Sequence, residues 1–148
     1  LGKQKRPKSR FNPSFKKQPR IAPQTLPDSI MDQYPVWRVA FIDYEGKWGF
    51  DKLNKPNILK SILSKLKDFE GMKWREIEGD ENHIISVAKI SKDAKKRLTD
   101  INKSDHQDLF SFRLTGKKRL WGIRIREEFY ILWWDPNHTV YPVKKKHT

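Results

Sequence analysis

The chain has 148 residues, enough for one domain with a proper core and too few for two comfortable ones. Thirty-two Lys and Arg against 18 Asp and Glu give a formal charge of +14, so a polyanion is the first partner to consider. Six tryptophans argue against general disorder, no apolar run reaches the roughly 20 residues of a membrane span, and without cysteine there are no disulfides, thiolate metal sites or thiol nucleophiles.

Half of the net charge sits in residues 1–30, where eight bases (Lys3, Lys5, Arg6, Lys8, Arg10, Lys16, Lys17 and Arg20) face one acid, Asp28. Prolines at 7, 13, 19, 23 and 27 and scattered Phe11, Phe15 and Ile21 leave no apolar period. Such a segment buries too little surface to offset its ordering entropy, so it is expected to be extended or disordered when free. It is either a basic arm lying along phosphates, with Phe11 and Phe15 stacking or anchoring, or a solvated extension. It lacks the apolar core of a secretory signal, and the cytoplasm is the compartment expected. A single domain is expected over 34–143, followed by a second basic tail at 144–148.

Residues 34–43 are rich in β-branched and aromatic side chains and predict a strand, with Trp37, Val39 and Phe41 on one side and Arg38 on the other. Gly46 and Gly49 around Trp48 predict a turn. A helix follows, with Asn54 as its cap, Pro56 in its first turn and Leu59, Ile62, Leu63, Leu66 and Phe69 at helical spacing. Trp74 and Ile77 are the positions expected to be buried in the ambiguous stretch 71–83. Ser91 caps a second helix to about Asn102, with Ala94, Leu98 and Ile101 inward.

The last third is the most regular. Residues 109–115 alternate, placing Phe110, Phe112 and Leu114 inward and Ser111, Arg113 and Thr115 outward. Gly116 and Lys117 predict a tight turn before a strand at 119–125. A third strand at 128–134 is almost continuously apolar, as in a central strand covered on both faces. Asp135, Pro136 and Asn137 break it, and residues 139–143 would add a short edge strand limited by Pro142. The expected fold class is therefore α+β: helices followed by, and packed on one side of, a three- to four-stranded antiparallel sheet.

No glycine-rich phosphate loop, GxSxG or HExxH occurs, and the four histidines show no ligand spacing, so neither a metal nor a cofactor is expected. Phosphates would have to be met by Arg and Lys. Arg113, Lys117, Lys118, Arg119, Arg124 and Arg126 are interleaved with Phe112, Trp121, Phe129, Tyr130, Trp133 and Trp134. Forked cations beside rings suit single-stranded nucleic acid, although any half-exposed sheet also alternates charge and core. Of these, Lys117, Lys118, Trp121, Arg124 and Trp134 are the expected RNA-binding residues. His138 closes the turn after the apolar strand, where an imidazole can exchange protons near neutral pH, or simply end a loop. His83, in a polar approach to Ile84 and Ile85, either contributes to a site or caps a strand.

Phe110, Ser111, Phe112, Arg113 and Leu114, then Arg119, Leu120 and Trp121, then the run 129–134, then His138 with Tyr141, together resemble the RelE superfamily of toxins, its YoeB-type members most of all. Nineteen positions separate Arg119 from His138, close to the spacing in that family. The resemblance covers about residues 90–141 and implies a RelE-like sheet and cleavage of mRNA in the ribosomal A site. It assigns Arg119 to the transition-state phosphate, Arg113 to holding RNA and His138 to protonating the leaving 5′ oxygen. Attack by the substrate's own 2′-hydroxyl would give a 2′,3′-cyclic phosphate without a metal. The family's carboxylate base has no evident counterpart; Asp100, Asp105 and Asp108 are the nearest choices. Implied partners are mRNA, the ribosome and a neutralising antitoxin protein, with no membrane. Two other functions stay open: a non-catalytic nucleic-acid-binding module using sheet and tail, and a protein-binding component of a defence or regulatory complex.

Overall fold

A computed structural model describes residues 27–142, so residues 1–26 of the arm expected over 1–30, Val143 at the end of the expected domain and the tail at 144–148 lie outside the described residues. Helix α1, Pro27–Met31, already falls within the stretch expected to be irregular, and buries Ile30. Strand β1 is only Val36–Arg38. The longer strand expected up to residue 43 is broken at a turn, where the Ile42 N–H donates to the Val39 carbonyl at 3.2 Å. The break sends Trp37 and Phe41 to different cores.

Helix α2, Pro56–Glu70, has its proline in the first turn, where the missing N–H would be unpaired anyway. Its N-cap is Lys55, not Asn54, and makes no side-chain capping bond. Ile62, Leu66 and Phe69 are buried, whereas Leu59 and Leu63 are 46% and 55% exposed. The five expected positions span a wider arc than one sheet face can cover. Helix α3, Trp74–Ile77, buries both expected residues, and the Trp74 indole donates to the Glu127 carbonyl at 3.0 Å. Helix α4, Lys92–Asp100, is capped as predicted: Ser91 Oγ accepts from the Ala94 N–H at 3.2 Å, and Ala94 and Leu98 are fully buried.

The remaining strands are β2 (His83–Ser86), β3 (Asp108–Arg113), β4 (Arg119–Ile125) and β5 (Glu128–Asp135). They form one five-stranded sheet of order β1-β5-β4-β3-β2. β2 to β5 make an antiparallel meander, and β1 lies parallel to β5 with Val36 opposite Glu128. This corrects the expected three- to four-stranded, purely antiparallel RelE-like sheet. Of the expected edge strand at 139–143, the described residues 139–142 form no strand, because the edge of β5 is already taken by β1 and by the loop 43–48, whose Asp43 N–H and Trp48 carbonyl bond Leu132 and Trp134.

The helices also lie on both faces rather than on one. α2 and α3 cover Phe110, Phe112, Leu120, Phe129, Ile131 and Trp134; α4, Phe41 and Trp48 cover Leu109, Trp121, Ile123, Tyr130, Leu132 and Trp133. Ser111, expected outward, is therefore buried under the α4 layer. A register shift opposite Trp121 and Gly122 lets both Leu132 and Trp133 face the α4 core, which is why β5 reads as an unbroken apolar run. At Gly122 an added Cβ would stand 2.3 Å from the Phe129 ring and 2.4 Å from the Tyr130 carbonyl oxygen, so only glycine lets β4 and β5 close here.

Candidate functional site

At one end of the sheet, pairing sets Arg113 opposite Arg119 and Arg119 opposite Asp135. Extending the β2–β3 register by two residues brings Glu81 opposite Arg113, and Arg113 Nη1 lies 3.3 Å from Glu81 Oε1. Residues paired across strands share a face, and alternation from Trp121 and Trp133 puts this row on the α4 side. The result is a line of acid, arginine, arginine, acid where the α4 core runs out.

Asp135 anchors the corner. It is fully buried and accepts four hydrogen bonds, from the Trp121 indole (3.1 Å), the Thr139 N–H (2.9 Å) and hydroxyl (3.2 Å), and the Val140 N–H (2.9 Å). The Thr139 oxygen in turn accepts from the Trp48 indole at 2.9 Å. These bonds fix the loop 136–140 and hold His138 at φ 58°, a left-handed backbone that histidine tolerates better than most residues. A turn former in the sequence thus becomes the part that presents the imidazole.

Burial first, then the positive charge of Arg119, holds the His138 pKa below its ordinary value; Arg113 adds to this, while Asp135 pulls the other way. The neutral form of the imidazole is accordingly favoured in the free protein. Arg119 is itself lowered by burial and by Arg113, with Asp135 and Glu81 opposing, and remains a cation. Its Nη1 donates to the carbonyls of Gly116 (2.7 Å) and Lys118 (3.1 Å), clamping the β3–β4 turn. Among the described residues its other nitrogens have no protein partner.

Arg113, Arg119 and His138 are thus brought together, with Lys117 and Lys118 exposed on the adjoining turn. The other expected RNA-binding residues are not. Arg124 lies on the opposite face, bonded to Glu78 at 2.6 Å and stacked over Trp74 and Phe110. Trp121 and Trp134 are 0% and 5% exposed, one in each core, so neither ring is open to a base. Alternation cannot separate a stacking surface from a core when both faces are covered. None of Asp100, Asp105 or Asp108 belongs to the row: Asp100 pairs with Lys96, Asp105 lies near His106, and Asp108 starts β3 at its far end.

Two residues at the corner escaped the sequence reading of roles. Glu81 is the carboxylate on Arg113, and Asn82 next to it accepts from the Arg113 N–H at 2.9 Å. His83, opposite Ser111 and diagonal to Arg113, has a buried Nδ1 with no hydrogen-bond partner. His83 was a candidate from the sequence, but only the β2–β3 pairing reveals the places of Glu81 and Asn82. Among the described residues no group of three or more His, Asp or Glu could hold a metal ion, and no helix is long and apolar enough to cross a membrane. No family model, curated protein or solved structure matches the chain.

Chemically, two guanidinium groups beside an imidazole and a carboxylate form an anion seat with a proton donor or acceptor on either side.

Proposed function

We propose that this corner binds a phosphodiester of RNA and cleaves it without a metal, as the resemblance to RelE superfamily toxins implies. The observation that supports it is the convergence of Arg113, Arg119 and His138 at one end of one sheet face. A phosphate seated between the two arginines displaces Glu81 from Arg113. The released carboxylate takes the proton of the 2′-hydroxyl, whose oxygen attacks phosphorus as the bond to the 5′ oxygen breaks. His138 donates its proton to that leaving oxygen. The phosphate's negative charge offsets the two cations that keep His138 neutral, so substrate binding itself raises the imidazole pKa towards the protonated form the step needs. The products are a 2′,3′-cyclic phosphate and a 5′-hydroxyl. mRNA on the ribosome is the proposed substrate, an antitoxin the proposed protein partner and the cytoplasm the proposed setting.

The test is cleavage of labelled RNA in EDTA, alone and within translating ribosomes, by wild type, Arg119→Lys and His138→Asn. Asparagine also accepts a left-handed backbone, so the loop survives while proton transfer is lost. His138→Asn should lower the rate about 100- to 10,000-fold, and Arg119→Lys should lower it too by removing the fork. Undiminished cleavage by both variants would remove the proposal. Salt-sensitive binding with no cleavage of either substrate would leave a binding module.

A further inference from the structure

The outward face of α4 is a mainly basic surface next to this corner. The Ser91 N–H donates to the Val140 carbonyl at 2.8 Å, tying the start of α4 to the loop that presents His138. Lys92, Lys95 and Lys96 on the helix and Lys89 in the short 3-10 turn before it are all exposed. Of the two acids of the helix, Asp93 pairs with Lys47 of another loop at 3.8 Å and Asp100 with Lys96 at 3.9 Å. Lys89, Lys92 and Lys95 therefore have no acidic partner among the described residues.

This arrangement works against the helix. Cations at an N-terminus oppose the macrodipole, and Lys92 and Lys96 repel one another at i, i+4. The folded helix gains no stability from it. We infer that the α4 face is an RNA-docking surface, continuous with the Arg113–Arg119 corner, that neutralises phosphates flanking the one held there. The inference rests on the proposed ribonuclease reading for the identity of the polyanion.

RNA is favoured over an acidic protein by what the face lacks. A protein interface needs an apolar centre, and none of the exposed large apolar residues lies on α4; two of them, Leu59 and Leu63, are on α2 across the sheet. A phosphate backbone needs cations alone. The lysines of α2 are thus the natural control: Lys60 and Lys67 flank an apolar strip, whereas Lys89, Lys92 and Lys95 flank none.

The experiment measures binding of the full chain to a 2′-O-methyl RNA oligonucleotide, which cannot be cleaved, across a salt series. Lys89→Gln/Lys92→Gln/Lys95→Gln should flatten the plot of log K against log salt by about 2, the value for three single-strand phosphate contacts. Lys60→Gln/Lys67→Gln should leave it unchanged, and neither variant should melt below the wild type, the triple variant slightly above it because it relieves the repulsion along α4. A dinucleotide too short to reach α4 should be cleaved equally by wild type and the triple variant. An unchanged slope in the triple variant overturns the inference. So does an equal loss in the α2 pair, and so does loss of binding to polyglutamate with RNA binding intact. A flattened slope in a protein that cleaves nothing would remove the nuclease and leave the docking surface standing.

Discussion

Asp43 and Asp135 are both buried carboxylates that accept an indole N–H, from Trp133 and Trp121 respectively. Their surroundings differ in one respect. Asp43 holds Arg97 in a two-bond fork, Nε and Nη2 each at 2.8 Å, whereas Asp135 is bonded only by neutral donors. Burial pushes the Asp43 carboxyl up, but the bonds from Arg97 and Trp133 outweigh it and hold it below its usual range. An acid closed by its own cation exerts little field on its neighbours. An acid without one acts on what lies nearby, here Arg119 and His138. The first corner is a lock and the second is a lock that also sets charge.

Removing the lock should have the largest effect. Asp43→Ala strands the Arg97 guanidinium and the Trp133 indole and should lower stability by about 3 kcal/mol or more, read as a shift in urea midpoint, with RNA binding by the folded fraction unchanged. Asp135→Asn keeps the volume but turns an amide N–H towards donors and should cost about 1–3 kcal/mol. It should also lower the His138 pKa further, seen by NMR titration, because Asp135 is the charge that raises it. A His138 signal that titrates unaltered would collapse the distinction between the two corners. Arg124→Met, which removes the Glu78 pair and the stacking on Trp74, should cost about 1–2 kcal/mol and leave RNA binding intact.

The histidines sharpen the comparison further. His106, packed against Phe41, and His138 are both lowered, burial being the first cause in each. The unfolded chain then takes up protons first as pH falls, so stability should be full above the unperturbed value of about 6.5 and decline below it until the folded-state pKa values are passed. Urea midpoints from pH 8 to 5 should show the decline, and His138→Asn should make it shallower. Lys117→Gln/Lys118→Gln should have the smallest effect on folding, within about 0.5 kcal/mol, while still weakening RNA binding at low salt.

What could be read from the sequence was local. β3 and the turn after it follow from alternation and Gly116, α4 from Ser91 and its spaced apolar residues, and the burial of β5 from its run of rings. Parallel pairing of β1 with β5 is a long-range event with no local signature, and it fills the place beside β5 that a short edge strand at 139–143 was expected to take. The same limit applied to the corner: Arg119 and His138 stand out within their own segments, but Glu81 becomes visible only when β2 docks on β3. Trp121 and Trp134 were misplaced because a sheet roofed on both sides hides its outward residues too.

The parallel contact of β1 with β5 has a consequence for how the chain acquires its shape. Val36 pairs with Glu128, so the first described strand cannot find its neighbour until the last described strand has been made. During synthesis the apolar side of α2 and the ring of Trp37 wait exposed for partners from β3 to β5. Long-range pairing of this kind folds slowly and lengthens the time a nascent chain can aggregate. The basic residues along α2 and α4 would keep such waiting chains apart by mutual repulsion.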